Sequence, residues 1–371
     1  MKRALLMGGT GAMGCYLVDI LSRQGEWDVW VTSRSERLSE QPNVHYYHGN
    51  ARDQHFIEHI LREKYDAIVD FMNYDYEEFV HRNRLLLAAT SHYIWFSSCR
   101  VYADSATPLT ECSARLLETS ADTQFLKTNR YALRKARQEN ILQNSGYNNY
   151  TIIRPYITYG TNRLQLGIYE KEQWLWRVLK GKALVINRDI LHKTTAMSHG
   201  YDVATAISKI VGNPNAHKQI FQIATSETMR WVEILGIYSE ALEQHTGKKP
   251  RIYTADTMKP IDELYEGGYN TIYDRVYDRS FDSSYINKAL GIEVMYTSMK
   301  TGIRRCIQEF LNQELPTLAI NPQFEAYQDI LTGDFLTEDD FDSSLQYQEY
   351  LRYKASAPAS LKLSKLKLVD L

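Results

Sequence analysis

Short apolar runs alternate with stretches of helical spacing over the first 160 residues of this 371-residue chain. A short apolar run bounded by polar residues indicates a buried strand, and apolar positions that recur every three or four residues indicate a helix. Strands that alternate with helices are typical of a parallel sheet covered on both faces. We therefore expect an α/β fold with a doubly wound parallel sheet. The predicted strands are residues 4–7, 28–32, 66–71, 93–97, 151–154 and 220–224.

A glycine-rich loop, GGTGAMG at residues 8–14, separates the first predicted strand from the first predicted helix. Strand, glycine turn and helix form the context that a dinucleotide-binding fingerprint requires, and they indicate a Rossmann-type sheet. Gly8 allows a tight turn, Gly11 lets the backbone approach a pyrophosphate, and Gly14 lets the helix pack close to the strand. The helix N-terminus then offers N–H groups to the phosphates. The predicted cofactor contacts of this loop are Gly8, Thr10, Gly11, Met13 and Gly14; a glycine turn that binds nothing is the alternative.

The second predicted strand is followed by Ser33 and Arg34, with no carboxylate before Glu36. In NAD-selective folds an acidic residue here binds the ribose 2′-hydroxyl, whereas an arginine accommodates a 2′-phosphate. Arg34 therefore favours NADP as the cofactor, with NAD as the alternative. An ordinary exposed arginine is the other interpretation of this residue.

Three residues further along the chain have the chemistry of a proton-transfer set: Ser98, Tyr131 and Lys135. Tyr131 and Lys135 lie four residues apart in a predicted helix, so their side chains share one face. A tyrosine with a pKa of about 10 is a poor base at neutral pH, but a neighbouring ammonium stabilises its phenolate. Ser98 can orient the same substrate oxygen. The spacing alone is weak evidence, because Tyr350 and Lys354 share it; its place after the glycine loop and an apolar strand is the stronger argument.

Composition excludes several classes of protein. A net charge of −2 and a pI of about 6.6 provide no basic field for nucleic acid. No apolar run approaches the length of a membrane span, and residues 1–7 are too short for a signal peptide. The four cysteines have no metal-like spacing. We expect a cytoplasmic protein with reduced thiols and no metal site.

The length favours about two domains. The first, a dinucleotide-binding domain, is predicted over residues 1–160, and residues 198–225 return to it. A smaller α/β substrate-binding domain is predicted over residues 161–197 and 226–315. Residues 316–371 form a predicted C-terminal extension.

The end of this extension, residues 361–368, alternates leucine with lysine and serine. We expect a docked or disordered tail there. Pairing as a strand and contact with a partner or a membrane surface are the alternatives.

The motifs together resemble those of the extended short-chain dehydrogenases/reductases, also called the NAD-dependent epimerase/dehydratase family, over about residues 2–310. The resemblance implies that most substrates are sugars on a nucleotide diphosphate. It also implies that Asn50 occupies the adenine-binding position, that Lys135 holds the cofactor ribose, and that helices near 76–90 and 123–145 pair in a homodimer. The residues that carry the resemblance are Gly8, Gly11, Gly14, Ser98, Tyr102, Tyr131, Lys135, Arg154, Pro155, Tyr159, Gly160, His199, Asp202, Val203 and Ala204.

Departures from the family pattern narrow the reaction. Cys99 and Arg100 stand where the 4,6-dehydratases carry an Asp-Glu pair, so the acid and base for eliminating water are missing. Ile157 replaces an asparagine that often contacts the substrate. The segment 70–73 is unusual where small alanines normally border the nicotinamide.

Three residues are substrate-contact candidates: Arg100, Tyr159 and His199. Arg100 could meet substrate anions by its fork geometry or form an internal ion pair. Simple packing is the alternative for Tyr159, and a structural histidine for His199.

The prediction is an NAD(P)-dependent oxidoreductase that acts on a nucleotide-linked sugar. Reduction of a 4-keto sugar by NADPH is favoured. An epimerase that recycles bound NAD and a non-catalytic scaffold that binds the cofactor are the alternatives.

Overall fold

The computed structural model describes residues 1–314 and 318–370. They divide into two compact units. Unit 1 comprises Met1–Thr158, Ala196–Glu227 and Ser280–Thr297. Unit 2 comprises Tyr159–Thr195, Thr228–Arg279 and the described residues from Ser298 onward.

The unit boundaries differ from the sequence prediction at one segment. We expected residues 226–315 in the smaller domain, but Ser280–Thr297 belongs to unit 1. Ile286 is fully buried in the apolar core of that unit, and the Gln222 side chain donates to the carbonyl of Asp282 at 3.1 Å. The predicted start of the C-terminal extension, residue 316, lies outside the described residues.

The secondary structure alternates as the apolar pattern predicts over the first part of the chain. The strands are β1 (Lys2–Met7), β2 (Trp27–Ser33), β3 (Val44–His48), β4 (Ala67–Asp70), β5 (Tyr93–Phe96), β6 (Tyr150–Pro155), β7 (Ile157–Tyr159), β8 (Leu184–Asn187), β9 (Thr194–Thr195), β10 (Met197–His199), β11 (Gln219–Ile223), β12 (Met229–Arg230), β13 (Ile252–Ala255) and β14 (Leu366–Leu368). The helices are α1 (Gly14–Gln24), α2 (Gln54–Ile60), α3 (Tyr76–Ala88), α4 (Leu116–Thr119), α5 (Thr123–Leu126), α6 (Tyr131–Gln143), α7 (Lys171–Leu179), α8 (Arg188–Leu191), α9 (Gly200–Ser208), α10 (Trp231–Thr246), α11 (Lys259–Asp262), α12 (Ser284–Leu290), α13 (Met299–Asn312), α14 (Pro322–Thr332), α15 (Ser344–Ala355) and α16 (Ala359–Lys362).

A seven-stranded parallel sheet forms the centre of unit 1, in the order β11-β6-β5-β4-β1-β2-β3. The order reverses next to β1, which is the arrangement of a doubly wound Rossmann sheet. The predicted fold class is confirmed. The reversal places the loop after β1 at the carboxyl edge of the sheet, where ligands bind in this architecture.

Both faces of this sheet are buried, because successive side chains of a strand point to opposite sides. Leu6 lies in the core layer that contains residues of α1, α9 and α12. Leu5 and Met7 lie in the opposite layer, which contains residues of α2, α3 and α6. The apolar runs without polar alternation are therefore the signature of strands covered on both sides.

Unit 2 contains a three-stranded sheet in the order β14-β13-β8. Strand β13 pairs with β8 in parallel and with β14 antiparallel. The leucine- and lysine-rich end of the chain therefore pairs as a strand, one of the alternatives considered for it. Within the described residues, no helix is long and apolar enough to cross a membrane.

A buried ionic cluster joins three helices of unit 2. The Arg177 guanidinium lies 2.5 Å from the Glu325 carboxylate and 2.9 Å from that of Asp329. The Tyr350 hydroxyl donates to Asp329 at 2.7 Å. These contacts hold α14 against α7 and α15 against α14.

The helix predicted over residues 123–145 is interrupted. It forms α5 and α6, and Tyr131 is the first residue of α6. The Thr128 hydroxyl donates to the Phe125 carbonyl at 2.7 Å, and the Arg137 guanidinium donates to the carbonyls of Leu126 and Thr128. These side chains satisfy the carbonyls that the break exposes, which is why the interruption is stable.

Candidate active site

The glycine loop after β1 has the geometry that a pyrophosphate contact needs. Gly8 has a φ of +70°, a conformation that glycine adopts without strain, and its N–H donates to the Thr32 hydroxyl at 2.9 Å. A Cβ at Gly14 would lie 2.5 Å from the Gly9 carbonyl oxygen, so α1 can begin here only with glycine. The sequence analysis expected Gly14 to let the helix pack close to the strand. The atoms nearest to Gly14 instead belong to Gly9 of the loop.

Gly11 differs from Gly14 because the space around it is open. A Cβ there would meet the Gly8 carbonyl oxygen at 3.7 Å and nothing nearer. The chain itself therefore does not require glycine at this position, whereas a ligand that approaches the loop backbone does. The first turn of α1 also carries no acidic residue, which favours an anion at its N-terminus.

A cavity of about 370 Å³ lies beside the loop at the carboxyl edge of the sheet. Its volume is in the range of small-molecule sites. Five of the predicted cofactor residues line it: Gly8, Thr10, Gly11, Arg34 and Asn50. Met13 and Gly14 do not; Met13 packs against the apolar core and precedes α1. The open glycine, the helix end and a basic residue fit a nicotinamide dinucleotide, which the Gly8–Gly14 loop would hold by its phosphates.

Arg52 is a second arginine of this cavity that the sequence analysis missed. Its guanidinium donates to the Asn73 carbonyl and lies 3.4 Å from the Glu78 carboxylate. The side-chain oxygen of Asn50 accepts the backbone N–H of Arg52 at 3.0 Å, so Asn50 begins a turn that includes Arg52. Its position in the sequence could have indicated this, since Arg52 lies two residues after Asn50, the predicted adenine-binding position.

Ser98 lies directly after β5 and begins the turn that carries Arg100. Its hydroxyl oxygen accepts the Arg100 N–H at 3.2 Å and caps a short 3₁₀ helix, Cys99–Val101. Ser98 is buried, whereas Arg100 is half-buried. Cys99 is fully buried, and its thiol donates to the Arg154 carbonyl at 3.1 Å. The position of the dehydratase acid is therefore occupied by a packed thiol.

Tyr131 is surrounded by positive charge. The guanidinium of Arg100 lies 4.8 Å from the ring centroid, that of Arg134 lies 5.8 Å away, and the Lys135 ammonium lies 5.8 Å away. The structure thus brings together Arg100, Tyr131 and Lys135, which the sequence analysis had selected separately.

Lys135 is 2% exposed. Its ammonium donates to the Phe96 carbonyl at 2.7 Å and lies 4.6 Å from the centroid of the Trp95 ring. Burial lowers the pKa of Lys135 to about 7, while the charge of Asp70 acts in the opposite direction. A lysine in this state gains or loses its proton near neutral pH.

The helix that carries Tyr131 and Lys135 is fixed by a buried ion-pair network. Glu139 accepts from the Arg154 guanidinium at 2.8 and 2.6 Å and from Arg115 at 2.8 Å. Arg154 also donates to the Tyr102 hydroxyl at 3.0 Å. Burial raises the pKa of Glu139, but the charge and hydrogen bonds of Arg154 outweigh it and lower the pKa. Arg154 and Tyr102, which carry the family resemblance, thus act by fixing α6 to β6 and to the turn after β5.

The other two substrate candidates have structural contacts. His199 caps α9, since its Nδ1 accepts the Tyr201 N–H at 3.2 Å, and its ring packs 5.7 Å from that of Tyr16. Tyr159 is buried in unit 2. A role in substrate binding stays a prediction for both. In residues 1–314 and 318–370, no group of three or more His, Cys, Asp or Glu side chains is placed to hold a metal ion.

The fold is a doubly wound Rossmann sheet with a glycine-rich loop after its first strand. The model of the NAD dependent epimerase/dehydratase family matches residues 4–224, which is more than half of the chain. The chain belongs to that family, as the sequence motifs predicted.

Solved structures share the fold at low identity. The enzyme WbmH of Bordetella bronchiseptica, in complex with NAD+, is 15% identical with a TM-score of 0.63, over 84% of this chain and 99% of that chain. UDP-glucuronic acid 4-epimerase of Bacillus cereus, in complex with UDP-glucuronic acid and NAD, is 14% identical with a TM-score of 0.60, over 84% and 99% of the two chains.

A curated relative comes from Arabidopsis thaliana: the chloroplast stem-loop binding protein of 41 kDa b. It is 27% identical over an alignment of 238 residues, and the match covers 60% of this chain and 58% of that protein. The match therefore spans less than two thirds of the relative's length.

Proposed function

We propose that this protein is an enzyme that binds a nicotinamide dinucleotide at the Gly8–Gly14 loop and oxidises or reduces a carbon of a nucleotide-linked sugar. The observation that carries the proposal is the placement of Tyr131, whose ring has three cations within 6 Å in a fold built around a dinucleotide loop. A scaffold that only binds the cofactor has no physical need for a buried lysine beside this phenol.

Each residue of the set has one role in this proposal. The bound nicotinamide supplies or accepts the hydride. Tyr131 gives a proton to the substrate oxygen during reduction and takes it during oxidation. Lys135 stabilises the resulting phenolate, and Ser98 orients the substrate oxygen by a hydrogen bond. Arg100 adds positive charge at the ring.

Reduction of a keto sugar is the reaction we favour, with epimerisation as the alternative. Dehydration needs an acid and a base where Cys99 and Arg100 stand, and the Cys99 thiol is bound to a carbonyl. Incubation with NADPH and a nucleotide-linked 4-keto sugar tests the proposal through the loss of nicotinamide absorbance. If instead UDP-glucose is converted to its epimer with no net change in absorbance, the enzyme is an epimerase. Conversion of neither class of substrate would contradict the proposal.

We propose NADP rather than NAD as the cofactor because Arg34 and Arg52 both line the cavity. A charged contact to the 2′-phosphate is worth about 1.5–3 kcal/mol, so Arg34→Ala should weaken NADPH binding about tenfold or more and spare NADH. Isothermal titration with both cofactors measures this. Equal affinity of the unmodified protein for NADPH and NADH would contradict it. Solved structures of the same fold contain NAD, which supports the alternative.

A homodimer is the assembly we propose, formed by α3 and α6 as the family resemblance implies. These helices contact each other within unit 1. Light scattering at micromolar concentration should give twice the mass of one chain; the mass of one chain would contradict the proposal.

Binding of a stem-loop RNA is a second candidate function, favoured by the name of the curated relative. The net charge of −2 opposes it, but Lys127 and Arg130 are both exposed in the segment before α6. Gel-shift titration of a stem-loop RNA tests this candidate. Binding that weakens with salt and with Lys127→Glu would support it, and no binding at low salt would exclude it.

A further inference from the structure

Asp70 is a buried carboxylate in the middle of the sheet, at the unusual segment after β4. It is the last residue of β4, and its Cα partners are Met7 on β1 and Trp95 on β5. The side chain is fully buried. One carboxylate oxygen accepts from the Tyr93 hydroxyl at 2.8 Å, and the other accepts from the Tyr74 hydroxyl at 3.1 Å and the Met72 N–H at 3.0 Å. All three donors are neutral, so none of them balances the charge of the carboxylate.

Lys135 is a buried cation whose charge acts on Asp70. Its ammonium lies over the ring of Trp95, which is the strand partner of Asp70, and it is bonded to the carbonyl of the next residue, Phe96. Trp95 and Tyr93 belong to the apolar layer that α6 covers. Asp70 and Lys135 are therefore two opposite charges buried in the same layer, each with neutral hydrogen-bond partners, and each stabilises the charged form of the other.

The remaining charges around Lys135 do not replace Asp70. Arg134, on the same helix, disfavours the ammonium. Glu139 favours it but is already bonded to Arg154 and Arg115. Tyr131 carries no charge until it has lost its proton. Asp70, on β4, is the other carboxylate whose charge acts on the ammonium among residues 1–314 and 318–370.

We propose that Asp70 is a positioning residue whose carboxylate is the counter-ion of the Lys135 ammonium and keeps it charged beside Tyr131. The effect on Tyr131 rests on the proposed function, because it matters only if Tyr131 transfers a proton. The pairing of Asp70 with Lys135 does not depend on that function.

Each charge acts on the pKa of the other in the direction of an ion pair, but burial outweighs this effect in both net shifts. Burial raises the pKa of Asp70 to about 6, although the bonds from Tyr93, Met72 and Tyr74 lower it. Burial lowers the pKa of Lys135 to about 7. Both groups are charged between these values. Below them Asp70 is protonated, and above them Lys135 is neutral.

The test measures the charge of Lys135 directly. Nitrogen-15 NMR of the lysine ammonium groups, titrated in the cofactor-free protein, gives the Lys135 pKa, and Lys135→Met identifies its signal. Asp70→Asn keeps the shape and removes the charge. Loss of an opposite charge at this range should lower the Lys135 pKa by about one unit or more. An unchanged pKa in the folded variant would overturn the proposal.

A second variant covers the case in which Asp70→Asn does not fold. Tyr93→Phe removes one hydrogen bond that keeps Asp70 ionised, so the Lys135 pKa should fall by a smaller amount. Tyr65→Phe is the matched control, because the Tyr65 hydroxyl donates to the Ile60 carbonyl and to Tyr47, and not to Asp70. Equal Lys135 pKa values in Tyr93→Phe and Tyr65→Phe would also overturn the proposal.

The pH profile of turnover then separates this proposal from the proposed function. If Asp70 acts through Lys135, Asp70→Asn moves the alkaline limb of the kcat profile to lower pH. The size of this move should equal the fall in the Lys135 pKa that NMR measures. A merely structural role would lower kcat at all pH values and leave the limb in place, which would contradict the proposal. A protein without oxidoreductase activity but with the expected NMR shift would contradict the proposed function and leave the charge pair intact.

Discussion

Tyr131–Lys135 in unit 1 and Tyr350–Lys354 in unit 2 are tyrosine–lysine pairs with the same spacing, and their surroundings differ. In unit 1 the Lys135 ammonium lies 5.8 Å from the Tyr131 ring; in unit 2 the Lys354 ammonium lies at the same distance from the Tyr350 ring. Arg100 and Arg134 add positive charge at Tyr131. The Tyr350 hydroxyl instead donates to the carboxylate of Asp329.

The difference decides which phenol can act as an acid or base. Burial and the bond to Asp329 raise the pKa of Tyr350, because a phenolate beside a carboxylate is disfavoured. Lys354 meanwhile packs over the Phe335 ring at 3.6 Å and is not buried. The motif spacing therefore fixes only the distance within the pair. The charges around the two phenols therefore distinguish the first pair, which we propose as the catalytic one, from the second, whose phenol is bonded to a carboxylate.

The largest expected effect is on turnover. Tyr131→Phe should keep the fold and lower turnover by about 10²–10⁴, the usual contribution of a general acid or base. Tyr350→Phe is the matched control and should lower the thermal unfolding midpoint without reducing turnover, since it loses the bonds of the hydroxyl to Asp329 and to the Leu336 N–H. Steady-state kinetics and thermal unfolding of both variants measure this. Near-normal turnover in Tyr131→Phe would contradict the proposal that the Tyr131–Lys135 pair is catalytic and the Tyr350–Lys354 pair is not.

The next effect concerns the helix that holds the first pair in place. Glu139→Gln leaves the buried guanidinium of Arg154 without its carboxylate, so the free energy of unfolding should fall by about 3–5 kcal/mol. Glu118→Gln is the control, because Glu118 pairs with Arg115 at the surface and should cost less than about 1 kcal/mol. Urea denaturation compares them. Similar losses in the two variants would show that the buried network does not fix α6.

Lys135→Met should change how stability depends on pH. The folded-state pKa of Lys135, about 7, lies below the ordinary lysine value of 10.5. Below pH 7 the ammonium is buried at its full cost, and this cost declines as the pH rises between these two values. The thermal unfolding midpoint of the unmodified protein should therefore gain a contribution from Lys135 as the pH rises from 7 to 9, and Lys135→Met should lack that contribution. Thermal unfolding between pH 6 and 9 measures it, and Lys354→Met should keep the pH dependence of the unmodified protein. The same pH dependence in Lys135→Met and in Lys354→Met would contradict the account.

Much of the fold follows from local pattern. The uninterrupted apolar runs of β1, β4 and β5 predict strands covered on both faces, and the glycine loop predicts where the order of the sheet reverses. Ser280–Thr297 was assigned to the wrong unit because the burial of Ile286 depends on contacts far away in sequence. The break between α5 and α6 was missed because propensity favours a helix there, whereas the side chains of Thr128 and Arg137 stabilise the break.

The candidate site was predictable only where the motif itself carries the chemistry. Tyr131 and Lys135 share a helix face by spacing alone. The contact of Arg100 with Tyr131 and the partnership of Asp70 with Lys135 arise from pairing between strands and helices, which no local window contains. The role of Arg154 likewise depends on Glu139, a residue with no distinctive local signal.

The central claim is that the loop after β1 binds a nicotinamide dinucleotide for the chemistry of Tyr131, and Gly11→Ala tests it most directly. The added Cβ makes only an ordinary contact of 3.7 Å with the chain, so the fold should be unaffected. Gly236→Ala in α10 is the control, since a Cβ at Gly236 has no atom within 4 Å. Isothermal titration with NADPH and NAD+ should show binding to the unmodified protein and to Gly236→Ala, and affinity reduced about tenfold or more in Gly11→Ala. Undiminished affinity in Gly11→Ala, or no binding of either cofactor to the unmodified protein, would contradict the account.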